Sequence, residues 1–564
     1  MDGPLRSRWL AALRPVDPWI VAFIGLGALA QLTRYLLRFP LWDDEAFLAV
    51  SYFDRDFWQM LQPLEYHQVA PLLYLWVQWS VMQLFGVNEY SLRLFSLVCG
   101  LSSLGLFGWV SGQLSRGIPR RLAVGMFCVA YPVTRYAVEA KQYAADLMVA
   151  LLLTGVAIAL LKRSDRRHWY GVLLVLTPLG IGLSFPAVFV AGGISLAMAC
   201  AALRSKQRWA GWLAWGAYSG VVLASFAAVF HVSAAAQSAD NLEYLRRCWA
   251  DAFPPLVISQ PWLLAKWLLV THTSEMFSYP IGGARGASVI TAVCAAVGAY
   301  QLWRQRRWEW LLMCLVPLGL NLIAAALHRY PYGAHVRFAL YFAPWVCLLA
   351  GAGLTRCLWI GLRGHADARR GELLFQTRLQ LVLGLLALLA PITMVRDVMH
   401  PYKTPGDRQA RDLARWMWPA LARDADVACT KTDLHHVFAP YTWEWGASAL
   451  YLSNQRIYAG PASQRQAVMV SSNAKSPLRC VHFRNTKAHE DPQAVAAWLD
   501  HMRQYYSCES VATFPHGQTG NQYEMAQHTS VIDIYHFVPL ETKIPGRTAQ
   551  AGDRTETQQP SRTR

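Results

Sequence analysis

Charge is what this chain has least of. Only 15% of its 564 residues are Asp, Glu, Lys or Arg, while 54% are hydrophobic; a soluble domain carries about 25% charge. That shortage excludes an ordinary soluble globule and points to a chain lying mostly in lipid. Acid is scarcer still, with 35 Asp and Glu against 52 Lys and Arg. In a soluble protein the net charge of +17 would suggest nucleic acid. Here the basic residues sit in short loops between apolar runs, which is a topology signal and excludes a nucleic-acid partner. The first apolar run has no small-residue cleavage site after it, so it is expected to be a retained span. No internal repeat is present, and the glycines at 517 and 520 lack the Lys-Ser or Lys-Thr of a phosphate loop.

Long apolar runs are what the chain does have. Residues 19–39, 336–353 and 379–394 approach the roughly 20 residues that a spanning helix needs. Arg6, Arg8 and Arg14 precede the first run and set its start on the cytoplasmic side. The run 71–86 decides the remaining sidedness. If it lies in the interface, the basic loops at 116–121, 162–167, 204–208, 304–307 and 363–370 all fall inside. That reading satisfies every loop, and 262–270 is treated in the same way. The expected fold is a polytopic α-helical membrane protein of about 11–13 spans. Its C-terminus lies outside, and a bacterial cytoplasmic membrane is the expected location.

After Met394 the chain turns polar. Amphipathic helices are expected at 407–421 and 492–505, and strands at 426–429, 480–483, 511–514 and 530–537. Alternating helices and strands predict a small extracytoplasmic α/β domain over 396–540, following a membrane domain over 1–395. The tail 541–564, rich in Thr, Gln, Arg and Ser, has too little apolar surface to fold. Eight of the eleven cysteines precede Gly361, mostly within spans, where they act as small hydrophobes. Cys429, Cys480 and Cys508 fall outside, where a disulfide is permitted but its pairing is not readable.

Four outward-facing motifs converge. They are Asp43-Asp44-Glu45 after the first span, Glu65-Tyr66-His67-Gln68 before the interfacial helix, the stretch from Tyr136 to Asp146, and His328 to Arg337. Three consecutive carboxylates at a membrane helix mouth are costly and call for a function. Carboxylates and cations at one depth, beside aromatics, suit an anionic amphiphile such as a lipid-phosphate-linked sugar. One carboxylate can take an acceptor's proton, and Lys141 or Arg337 can hold a phosphate leaving group. Plainer roles exist for each residue: Asp146 as a helix cap, Lys141 and Arg337 as snorkelling side chains, Glu139 as a surface partner of Gln142, and His67 as an interfacial histidine. His435-His436 point apart on a strand, which argues against metal. The tryptophans near span ends, Trp42 among them, fit an aromatic belt.

With these motifs in order, the chain resembles the polytopic glycosyltransferases of the C superfamily, which include protein O-mannosyltransferases and aminoarabinose–lipid A transferases. The resemblance covers residues 19–163 in ordered motifs: Asp44-Glu45, then Leu84-Phe85-Gly86, Asn88-Glu89, Leu92-Arg93-Leu94, and a Tyr-Ala-x-x-Asp element that begins at Tyr143 and reaches Asp146 one position early. It implies an inverting transfer from a polyprenyl-phosphate sugar to an extracytoplasmic acceptor. Asp44 would be the base, with Glu45 and Asp146 beside it and Lys141, Arg337, Tyr143 and His67 around the donor phosphate. The aminoarabinose transferases carry Glu-Lys before the helix proline where this chain has Val69-Ala70. That departure weakens the carry-over of their metal site and substrate and leaves a divalent metal ion open: either His67 fills part of the gap or nothing does. A transporter or flippase would place its charges at mid-membrane in paired halves, whereas these lie at span ends. An oligosaccharide ligase is chemically close, and a membrane-anchored binding module would not need so many spans.

Overall fold

The computed structural model describes residues 17–405 apart from 54, 163–167, 205–207, 236–242, 244–245, 258, 361 and 363–367. Beyond 405 it describes residues 407–408, 411–412, 414–415, 426–428, 449–450, 453–454, 456–458, 478–485, 492–516 and 530–540. Arg6, Arg8, Arg14, Cys429, the side chain of Cys480, His435-His436, the glycines at 517 and 520, most of the helix expected at 407–421 and the tail from 541 lie outside these residues.

Helix α1 (Pro18–Leu36) begins where the Asp17 carboxylate accepts from the Trp19 N–H at 3.1 Å, with Pro18 in the first turn. Two short helices follow, α2 (Asp43–Phe53) and α3 (Leu72–Phe85). Gly86, at φ 72°, turns the chain out of α3. Helix α4 (Glu89–Leu114) starts at a reciprocal cap, in which Asn88 Oδ1 takes the N–H groups of Tyr90 and Ser91 and Ser91 Oγ takes that of Asn88. Then come α5 (Ile118–Cys128), α6 (Tyr131–Tyr136), α7 (Tyr143–Lys162), α8 (His168–Leu183), α9 (Ala187–Arg204), α10 (Arg208–Ala235), α11 (Pro261–Thr273), α12 (Val289–Arg304) and α13 (Trp308–Ala326). A 3-10 stretch, Val336–Phe342, runs into α14 (Ala343–Leu358), and α15 (Ala368–Met399) follows.

Among the described residues eight segments are long and apolar enough to cross a membrane: α1, α4, α7, α9, α10, α13, Val336–Leu358 and α15. Where the remaining crossings were expected, the helices are shorter. These are α8 and α12, of 16 residues each, and the α5–α6 pair, broken where Ala130 is extended before Pro132 opens a new turn. Ion pairs fix which ends lie together. Arg121 holds Asp17 at 2.6 Å and Arg204 holds Glu309 at 2.6 Å at one end, the end of the basic loops. At the other end Arg34 meets Asp397 at 2.7 Å in a buried pair. The chain enters α3 from Gln68, which touches Lys141, and leaves it at Glu89, which holds Arg38 at 2.7 Å. Both contacts are at this second end, so α3 does not cross. Helix α11 also starts and finishes on one side, since the Tyr332 N–H donates to the Ala252 carbonyl before it and the Tyr332 hydroxyl meets His272 Nε2 in its last turn.

Without lipid-excluding force between helices, close approach depends on small residues. A Cβ at Gly298 would strike the Leu349 carbonyl, and one at Gly353 the Cys294 carbonyl, so α12 and α14 touch backbone to backbone. A second core caps the bundle at the Asp44 end. Leu41, Ala46, Leu48, Tyr52 and Tyr74 are buried there together with Ala449 and Leu450 from the C-terminal region. Farther on, β1 (Asp426–Ala428), β2 (Leu478–Asn485), β3 (Tyr506–His516) and β4 (Ser530–Pro539) form one sheet in the order β1-β2-β4-β3, with β1 parallel to β2 and the other pairs antiparallel. Helix α16 (Pro492–Arg503) precedes β3. The expected strands and the helix at 492–505 are therefore present.

Candidate active site

The acidic triplet forms the first turn of α2, where carboxylates meet the positive end of the helix dipole. Its three members have different surroundings. Glu45 turns inward and is 1% exposed. Arg93, near the start of α4, grips both its oxygens at 2.8 and 2.5 Å, and the Ala140 N–H adds a third bond at 2.7 Å. The other guanidinium N–H groups of Arg93 go to the carbonyls of Phe39 and Pro40. Glu45 is thus fully engaged in holding α2, α4 and the loop before α7 together, and the structure does not bring it to the open side of the site.

Asp44 faces the other way, with about a fifth of its side chain exposed (21%). It is paired with Arg337, which lies at the start of the 3-10 stretch and is 293 residues away in the chain. Burial pushes the Asp44 carboxyl up, but Arg337, Lys141 and Lys403 more than offset this and hold it at about 2. Arg337 is itself buried and lies among the rings of Trp249, Phe338, Trp42 and Tyr143 at 4.7, 5.3, 5.8 and 5.9 Å. Its Nε–H is buried without an acceptor. Lys141, 5% exposed, reaches Gln68 Oε1 at 2.6 Å, and its backbone is held where Ser96 Oγ donates to Lys141 O at 3.1 Å. Burial draws the Lys141 ammonium down to about 8, against the pull of Asp44.

The remaining expected residues fall around this centre. Tyr143 supplies one ring beside Arg337. Asp146, one turn farther into α7, is 3% exposed and lies beside the buried Ser184 hydroxyl. His67 closes a 3-10 turn with a left-handed backbone (φ 54°) and adjoins the site through its neighbour Gln68. Glu139 pairs with Arg135 at 2.8 Å rather than with Gln142.

Two participants were not singled out from the sequence. Lys403, beyond the last span, lies over the Trp42 ring, and Asp407 lies beside Asp43. Burial raises Asp43 to about 6 and Asp407 to about 7, each reinforced by a neighbouring carboxylate. The pattern Thr404-x-x-Asp407 was the available signal, since it is a capping box readable from residue types.

Three cations, Arg337, Lys141 and Lys403, thus surround one ionised carboxylate, and the arrangement favours an added anion. The donor set does not suit a divalent ion: a metal at Asp44 would have to displace Arg337 and remain beside two lysines. Among the described residues no three His, Cys, Asp or Glu side chains are grouped to share a metal.

No protein-family model matches the chain, and no curated protein matches it. Solved structures do. The structure of ArnT from Cupriavidus metallidurans bound to undecaprenyl phosphate is 11% identical, with a TM-score of 0.50, over 91% of this chain and 98% of that one. Its apo form is 12% identical, with a TM-score of 0.47, over 91% and 97%. The archaeal oligosaccharyltransferase AglB from Archaeoglobus fulgidus, in complex with an inhibitory peptide and a dolichol-phosphate, is 12% identical, with a TM-score of 0.47, over 94% and 75%. The near-complete overlap with the first of these structures, together with the long apolar helices, shows that the chain shares the fold of that ArnT structure.

Proposed function

We propose that this protein is an integral-membrane glycosyltransferase. In this reading it moves a sugar from a polyprenyl-phosphate donor to an extracytoplasmic lipid, glycan or protein, with inversion. The observation that carries the proposal is the surplus of buried cations around Asp44, with the orphaned Arg337 Nε–H among them. A lipid phosphate brings the missing negative charge, and its chain remains in the bilayer while its head reaches the helix mouth. The neighbouring structure bound to undecaprenyl phosphate accords with that ligand class.

The geometry suggests an order of events. In the resting state Arg337 occupies Asp44, and a carboxylate held at about 2 is a weak base. A donor phosphate competes for Arg337 and Lys141. As they turn to it, Asp44 loses its counter-charges and becomes more basic. It can then accept the acceptor's proton while the sugar C1–O bond to phosphate breaks and the acceptor oxygen bonds to C1. Arg337 and Lys141 take the charge that builds on the departing phosphate. Tyr143 and Trp249 flank the guanidinium and direct it, while Asp146 lines the deeper wall. All these charges lie at one end of the bundle, unlike the mid-membrane charges of a transporter.

The test compares cells carrying the wild-type chain or Asp44→Asn by mass spectrometry of envelope lipids, glycans and proteins. One sugar modification should disappear in the variant at equal protein level, and an unchanged profile would refute the role of Asp44.

A further inference from the structure

The segment behind the last span delivers a charged side chain to the site, and the sequence offered no reason to expect it there. Lys403 lies four residues past the end of α15 at Met399. Its position is fixed from both sides. The Thr404 N–H donates to Asp407 Oδ2 at 3.0 Å and the Asp407 N–H donates to Thr404 Oγ1 at 3.2 Å, a reciprocal box immediately after the lysine. One turn on, Arg411 donates to the carbonyl of Arg38 at 2.6 Å and anchors this segment to the end of α1. So held, the Lys403 ammonium lies over the ring of Trp42, the residue just before Asp43. The charges facing it are Asp44, Asp43, Glu139 and Asp407 on one side and Arg135 and Arg337 on the other. Glu139 already belongs to Arg135, and Asp44 to Arg337. The Asp43 charge reaches Asp407 and, after burial, helps to push its carboxyl up to about 7, which favours Asp407 keeping a proton. Among the described residues Lys403 therefore has no carboxylate to itself. It is held beside the mouth of the site by packing and a ring face, an expensive arrangement for a half-buried ammonium unless an anion arrives.

We propose that Lys403 is a third phosphate-binding residue of the donor site, so that the membrane bundle and the segment behind its last span share the site. The inference rests on the phosphate-donor reading above. It adds that binding of the lipid phosphate and docking of the post-span segment stabilise each other, as linkage requires.

The test uses the full-length protein in detergent with farnesyl phosphate, farnesol and inorganic phosphate as probes. Wild-type protein should bind farnesyl phosphate well above farnesol. Lys403→Met should weaken farnesyl phosphate about 10-fold, as expected for a lost charged hydrogen bond, and leave farnesol unchanged, while Lys403→Arg restores most of the affinity. If Lys403→Met binds farnesyl phosphate like wild type while Lys141→Met weakens it, the role of Lys403 is overturned and the donor reading survives. If wild-type protein does not distinguish farnesyl phosphate from farnesol, the donor reading falls and Lys403 with it. A second measurement needs no substitution: acetylation of Lys403 by acetic anhydride, followed by peptide mass spectrometry. Farnesyl phosphate should slow it several-fold and farnesol should not. Absence of protection overturns the proposal even where Lys403→Met fails to fold, and equal protection by inorganic phosphate overturns the lipid part of it.

Discussion

Asp44 and Glu45 are adjacent on one helical turn, and each meets an arginine brought from elsewhere in the chain. Their surroundings nevertheless differ in kind. Around Glu45 the polar groups are matched: Arg93 forks onto both oxygens, a backbone N–H adds to them, and two carbonyls absorb the rest of the guanidinium. Around Asp44 positive charge is in excess, and Arg337 keeps an N–H without an acceptor. A buried ion pair is tolerable when its remaining hydrogen bonds are satisfied. The Glu45 region meets that condition with the chain alone. Among the described residues the Asp44 region does not, and on the proposed reading this distinguishes a scaffold from a site.

Changing each carboxylate to its amide should separate the two regions most widely. Asp44→Asn is expected to reduce sugar transfer by about 10²–10⁴-fold and to lower the unfolding temperature of the solubilised protein by less than Glu45→Gln does, because the Asp44 side chain is 21% exposed and that of Glu45 1%. Glu45→Gln leaves Arg93 buried beside a neutral amide and should cost about 3–5 kcal/mol of stability, seen as a large fall in unfolding temperature. Similar unfolding shifts for the two would erase the distinction.

Next in size is Lys141→Ala. The KM for the lipid donor should rise about 10-fold with kcat changing less, because the interaction serves donor binding. An unaltered donor dependence would remove Lys141 from the phosphate site.

The smallest effect is a pH dependence of opposite sign in the two observables. Lys141 lies at about 8 in the folded protein, below its ordinary 10.5. Between those values the unfolded chain holds more protons, so this lysine makes stability rise with pH. Over the same range it loses the charge that we propose attracts phosphate. Donor affinity should therefore fall a few-fold above pH 8 while unfolding temperature does not fall for the same reason, and Lys141→Arg should reduce the affinity loss to the part contributed by Lys403, which burial also draws down to about 8. A donor affinity flat to pH 10 would contradict the assignment. For Asp44 the sign is reversed: its depressed value gives stability above pH ~4 that is lost as pH falls towards 2.

Much of this was legible in the residues. Basic loops gave the parity, and the structure gathers Arg121 and Arg204 at one end and Asp44, Lys141 and Arg337 at the other. Apolar alternation found β2, β3 and β4 within a few residues. Helix α2 escaped notice because its eleven residues carry three acids and no clean apolar stripe. The role of Glu45 could not be read either, since nothing local distinguishes it from Asp44. What separates them is Arg93, 48 residues on, and Arg337, 293 residues from Asp44. Such pairings come from how helices pack, and periodicity does not encode them. Lys403 lay in a short polar link whose only pattern was a helix cap.

The separation of Asp44 from Arg337 also bears on how the protein is made. A ribosome adding roughly 5–20 residues per second takes about 15–60 s to pass from one to the other. During that interval the acidic turn is already synthesised and its arginine is not. Lys403, Ala449 and Leu450 come later still, and the last two complete the core over α2. The charged centre is therefore assembled only after residue 403 of 564 has been made, and a product terminated before it lacks a cation that we propose holds a lipid phosphate.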